Sequence, residues 1–138
     1  MQGTYIPPLN FYSFDAHMVL LSAFRVEQVG PRFQPLFEEH SMGRVRFAVT
    51  TITMAEVLAG PLRVGDESLV RRYRSILGSW QVVALDAEIA ESAARVRASF
   101  RLKLADAVQL ASALAVNADA LVTHDRDFSG VQSVRVIS

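Results

Sequence analysis

LKLADAVQLASALAVNADALVTHDRDF, residues 102–128, holds a helix and a strand in succession. Asp106 opens an apolar run in which Val108, Leu110, Ala111, Leu114 and Ala115 recur at helical spacing. Asn117-Ala118 breaks that run. Ala120-Leu121-Val122 is then a short apolar stretch bounded by Thr123-His124-Asp125, the pattern of a strand buried on both faces. A strand in such an αβ unit points its C-terminal end at the crevice where ligands bind. Asp106 and Asp125, one at the open end of each element, are therefore candidates to meet there.

The same alternation extends outward in both directions. Downstream, Val134-Arg135-Val136-Ile137 is a final strand. Upstream, QVVAL at 81–85 is a strand, and Asp86 starts a helix with Ile89, Ala93 and Val96 on one face and Glu88 and Glu91 on the solvated one. DESLVRRYRSIL at 66–77 is helical, with its arginines outward. RVRFAVTT at 44–51 reads as a strand, after which Thr53 and Glu56 have capping-box spacing and Gly60-Pro61 ends the helix. A helix is expected from near Pro31 to Gly43, and another over residues 16–26. FYSF at 11–14 is a short aromatic strand ending at Asp15. Strands alternating with helices predict an α/β sandwich with a mainly parallel sheet. Residues 1–10, with Pro7-Pro8, read as an extended lead, and residues 11–138 as a single domain.

The 138 residues are 51% hydrophobic and 20% charged, the balance of a compact globular chain rather than a disordered one. Fourteen basic and fourteen acidic residues cancel, so no global positive field attracts nucleic acid. Local basic patches remain at Arg71, Arg72 and Arg74, and at Arg95, Arg97, Arg101 and Lys103. With no cysteine, disulfides, thiolate catalysis and cysteine-ligated zinc are excluded. That composition suits a reducing, cytoplasmic setting. The apolar segment at 18–24 is far too short to span a bilayer, so no membrane association is expected.

Four acids stand out by position. Asp15 follows the first strand and Asp125 the fourth; Glu56 begins the helix after the second strand, and Asp106 begins the helix before the fourth. Strand C-termini of a parallel sheet with right-handed crossovers share one edge, so these four carboxylates can converge. Each has an ordinary reading as a cap, turn or first-turn acid. It is their placement together near one predicted edge that points to chemistry. Clustered carboxylates repel unless a cation neutralises them, and a hard ion such as Mg²⁺, held by oxygen ligands with water in its remaining positions, is the simple solution. Such an ion lowers the pKa of a bound water and prepares it to attack a phosphodiester.

The chain resembles PIN-domain ribonucleases, and among them the VapC-type toxins of toxin–antitoxin pairs. The resemblance rests on FDAHMVL at 14–20, TITMAEVL at 51–58, LADAVQLASA at 104–113 and THDRDF at 123–128, in order and at family spacing. It implies a three-layer α/β/α fold, dependence on Mg²⁺ or Mn²⁺, and endonucleolytic cleavage of RNA. It places Asp15, Glu56, Asp106 and Asp125 as the metal-binding, catalytic quartet, with Thr123 as a supporting hydroxyl. It further implies a cognate antitoxin that covers the acidic cleft, and a homodimer. Two positions depart from the pattern: Ala16 stands where Thr or Ser is usual, and His124 where Asn is common.

Two other readings compete. One is a PIN-like module that binds RNA or a partner without cutting. The other is a receiver-like signalling domain, which wants an adjacent acid pair near the first strand and a lysine after the last; here Asp15 stands alone and no lysine follows residue 137. Asp127 reads as a turn residue, and Asp119 as part of the turn before the fourth strand. His17, His40 and His124 lack paired metal-ligand spacing, and Trp80 and the phenylalanines read as core.

Overall fold

A computed structural model describes residues 10–14, 34–123, 128, 130–131 and 133–137. The described elements are β1 (Phe11–Phe14), α1 (Gln34–Ser41), β2 (Arg46–Thr50), α2 (Thr51–Arg63), α3 (Glu67–Gly78), β3 (Gln81–Val83), α4 (Ala87–Phe100), α5 (Leu104–Ala115), β4 (Ala120–Val122) and β5 (Arg135–Ile137). The helix expected over residues 16–26 lies outside the described residues.

The five strands form one sheet in the order β3-β2-β1-β4-β5, and every pairing is parallel. The chain runs from β1 outward through β2 to β3, then returns to the other side of β1 for β4 and β5. The switch point is therefore between β1 and β4. Phe14 and Val122 are in register there, so both strands deliver the chain to the same sheet edge. This order differs from the 2-1-3-4-5 order of receiver-type sheets, which removes the signalling reading.

Successive strand residues point to opposite faces, and both faces are covered. Tyr12, Phe14, Phe47, Val49, Ala120 and Val122 pack with α1 to α3 through Leu36, Val57, Tyr73 and Leu77. Phe11, Ala48 and Leu121, on the alternate positions, pack with α4 and α5 through Ile89, Ala93, Val108, Leu110 and Ala111. The result is the expected three-layer α/β/α sandwich. An aromatic nest fills the first layer: the Phe14 ring lies 4.4 Å from Phe47 and 5.3 Å from Trp80. His40 stacks on Phe47 at 4.1 Å. Such ring pairs add about 0.5–1.5 kcal/mol each beyond their burial.

Several expected boundaries are corrected. Thr50, not Thr53, caps α2: its Oγ1 accepts the Thr53 N–H at 2.9 Å, so the helix starts directly after the strand's last residue. Glu56 is then a second-turn residue rather than a capping-box partner. Gly60-Pro61 does not end α2, which continues to Arg63 with the Pro61 ring buried. The proline sits in the last turn, where its missing N–H forfeits only one intrahelical bond; Gly65, at φ 72°, makes the turn that follows. The third strand stops at Val83 because the Leu85 N–H leaves the ladder and donates to Thr51 Oγ1 at 3.2 Å. Finally, α5 starts at Leu104, placing Asp106 in its first turn rather than at its start.

Candidate active site

Three expected site residues fall within the described structure, and each is positioned by a different element. Glu56 is exposed in the second turn of α2, which leaves the sheet edge directly from β2. Asp106 is half-buried in the first turn of α5. That helix runs back across the sheet and ends just before β4 begins. Its twelve residues span about 18 Å at 1.5 Å each, long enough to carry Asp106 to the edge where the strands end. Helices α2 and α5 lie in opposite outer layers, yet they pack against one another beside β2. Glu56 and Asp106 are thus carried by two touching helices at the C-terminal edge of the sheet.

Thr123 follows β4 and is fully buried, and its N–H donates to the Ile137 carbonyl at 3.0 Å, prolonging the β4–β5 ladder past Val122. The hydroxyl named as a support therefore sits on a well-anchored backbone. Asp15 and Asp125, which follow the two strands at the switch point in sequence, lie outside the described residues, as do Ala16, His17, His124 and Asp127. Among the described residues, no three His, Cys, Asp or Glu side chains are grouped to hold a metal. The two described acids are carboxylate oxygen donors, the ligand type that Mg²⁺ and Mn²⁺ take, and one or two direct carboxylates suffice for Mg²⁺. The donor chemistry fits.

Lys103 precedes α5 as its N-cap without a side-chain cap hydrogen bond. Two further polar side chains on α5, Gln109 and Ser112, are buried with Nε2 and Oγ unpartnered among the described residues. The other expected bystanders behave as structure. Asp86 caps α4 through its bond from the Ile89 N–H at 2.8 Å, Trp80 is core, and Arg71, Arg72 and Arg74 face outward from α3. Burial lowers the His40 pKa from its ordinary value, in keeping with a packing role against Phe47. None of the described helices is long and apolar enough to cross a membrane.

The family model of the PIN domain matches residues 19–133, most of the chain. The chain belongs to the PIN domain family. The match takes in Glu56, Asp106, Thr123 and Asp125 but begins after Asp15. Solved structures agree on the fold. The chain superposes on a toxin–antitoxin complex from Klebsiella pneumoniae with a TM-score of 0.67 at 25% identity, covering 92% of this chain and 96% of the other. It superposes on a DNA-bound VapBC from Salmonella typhimurium with a TM-score of 0.73 at 16% identity, covering 93% and 97%. For VapBC2 from Rickettsia felis, bound to a fragment of its promoter, the TM-score is 0.72 at 15% identity, covering 91% and 96%. No curated protein matches the chain by sequence.

Sequence reasoning missed the roles of two residues, one beside the site and one in the sheet that carries it. Thr50 sets the start of α2 and hence the height of Glu56 above the sheet; its signal was a threonine ending an apolar run immediately before a helix. Asp119 anchors the first residue of β1 from a distant part of the chain, and no local pattern could reveal that.

Proposed function

We propose that this PIN domain is a metal-dependent endoribonuclease, the toxin of a type II toxin–antitoxin pair. The observation that carries the reading is the placement of Glu56 and Asp106 on two helices from opposite layers that touch at the C-terminal edge beside β2, the strand next to β1 of the switch point. Asp15 and Asp125 complete the proposed quartet by their positions in the sequence, one directly after β1 and the other three residues past the end of β4, the strands that flank that switch point. The match of fold to toxin–antitoxin complexes, one of them at 25% identity, supports the toxin role.

Bound there, Mg²⁺ or Mn²⁺ would supply an activated water and stabilise charge on the phosphate oxygens. Asp106, half-buried and fixed in the first turn of α5, would hold the ion with little freedom to swing away. Glu56, more exposed on α2, would hold it from the opposite layer or orient its water. Thr123 would fix the backbone from which Asp125 reaches in. The four carboxylates would hold the ion and leave its remaining positions to water and a phosphate oxygen, an arrangement suited to hydrolytic scission of RNA. The same reading takes in a cognate antitoxin covering the acidic cleft and a homodimeric toxin, in the cytoplasm.

Incubating purified protein with cellular RNA, with Mg²⁺ or with EDTA, tests it. Discrete cleavage products that form with Mg²⁺ and vanish in EDTA are expected. Equal cleavage in both, or none in either, would remove the reading.

A further inference from the structure

The four carboxylates of the proposed site create a difficulty for their own substrate, because a polyanion is repelled from an acidic edge unless cations draw it in. The chain as a whole has no net charge to do this. The compensation is local. Residues 95–103, RVRASFRLK, contain four cations and no acid, and they lead directly into the helix that carries Asp106. Arg95 is committed to Glu91 across one turn at 2.6 Å. Arg97, Arg101 and Lys103 are exposed and make no ion pair among the described residues.

Arg97 and Arg101 line a groove of about 490 Å³ between α4 and the start of α5, together with Ala94, Ala98, Leu102 and Leu104, and Lys103 stands in the chain between the last two. Alanines make up much of its lining. Leu104 is two residues from Asp106, so chain reach holds their Cα atoms within about 7 Å. The groove thus opens at the same helix end as the acid site. The Arg97 Nε–H donates to the Leu102 carbonyl at 3.2 Å, which ties down the turn between the helices.

Arg101 supplies a second, independent sign. It takes the left-handed conformation at φ 58° and ψ 33° as the C-cap of α4, a position where glycine is the unstrained choice. A side chain kept at a strained backbone position is a pointer to use. We propose that this groove is the entry track for the substrate strand: Arg101 and Lys103, with Arg97 behind them, grip the backbone phosphates of single-stranded RNA and lead it to the acids. The proposal rests on the nuclease reading and specifies where its substrate is held.

Anisotropy of an end-labelled, single-stranded RNA in EDTA, titrated with salt, tests the groove without cleavage. Arg101→Gly with Lys103→Gln is expected to weaken binding on the order of tenfold at low salt and to flatten the log–log salt slope by about 1.4, roughly 0.7 per lost phosphate contact. Arg71→Gln with Arg74→Gln, on α3, is expected to change neither. Arg101→Gly alone relieves the backbone, so its melting temperature should stay level or rise while its RNA affinity falls; a merely structural arginine would not separate the two. Unchanged affinity and slope in the double variant would overturn the groove, as would a change of molecular mass in light scattering with RNA binding intact, the mark of a second protein copy on this face. A wild type that binds no RNA overturns it as well. The same preparations in Mg²⁺ keep the two ideas apart. Cutting that proceeds equally well in the double variant removes the groove alone, whereas binding through Arg101 and Lys103 with no cutting removes the nuclease reading alone.

Discussion

Asp119 and Phe11, 108 positions apart, are joined twice: the Phe11 N–H donates to Asp119 Oδ2 at 3.0 Å, and the Asp119 N–H donates to the Phe11 carbonyl at 2.7 Å. The same Oδ2 accepts the Asn10 N–H at 3.1 Å. One carboxylate thus seats the first residue of β1 against the residue that precedes β4, the two strands that flank the switch point. Register at that seam is set here, because a slip of one residue would turn every side chain of β1 to the wrong layer.

Asp119→Ala leaves two backbone donors without their acceptor and is expected to cost about 1–2 kcal/mol, less than a buried charged pair because solvent reaches the site. Asp119→Asn keeps one acceptor oxygen and should cost less than half of that. Urea denaturation of the two variants beside the wild type checks the order. Equal stability of all three would mean that the strand registers itself through its core side chains alone.

Thr50→Val retains shape in the buried position but loses the acceptor for the Thr53 N–H and the contact between the Thr50 and Thr53 hydroxyls at 3.2 Å. An expected loss of about 1 kcal/mol follows from the N-cap term. Because the first turn of α2 also sets where Glu56 stands, RNA cleavage should fall by more than the loss of folded protein explains. Activity per folded molecule, measured well below the melting temperature, is the discriminating quantity.

The strands were legible wherever both faces are buried. FYSF and ALV are apolar runs too short for helices, and β1 and β4 have the bounds that those runs suggest. The helix that carries Asp106 was legible because its apolar run at helical spacing is a local pattern. What escaped reading was set by partners far away in the chain. Leu85 is pulled out of β3 by Thr51, Pro61 is carried inside α2 by burial of its ring, and Asp119 acts on a residue at the opposite end of the sequence. Capping was misassigned by three residues because Thr50, Thr51 and Thr53 are all plausible caps, and only the end of β2 selects among them.

His40 links stability to pH. Burial against Phe47 and beside Trp80 lowers its pKa below the ordinary 6.5. The unfolded chain therefore takes up the proton first as pH falls, and the fold loses stability. His40's contribution is fully present above about 6.5 and is lost progressively below that, down to its folded pKa. Replacing it by Phe, which preserves the ring stack, should flatten the stability profile across that window while leaving the steeper carboxylate limb at lower pH. A wild type and a His40→Phe protein with parallel profiles between neutral pH and the carboxylate range would contradict this.

Glu56 and Asp106 are expected to separate folding from activity. Asp106→Asn and Glu56→Gln preserve shape and remove one negative charge each from the proposed carboxylate site, so neither should lower the melting temperature in EDTA, and relief of any repulsion there should raise it slightly. Cleavage of RNA should fall on the order of 100-fold or more in each, because a neutral amide oxygen is a poorer ligand for a hard divalent ion. Mg²⁺ or Mn²⁺ should raise the melting temperature of the wild type by binding the folded state only. Asp106→Asn should lose most of that shift and Glu56→Gln part of it, since on the proposed reading the half-buried, first-turn acid would be the better-fixed ligand. If both variants keep the full metal-dependent shift, the ion is held elsewhere, and the two touching helices owe their acids to solubility rather than to chemistry.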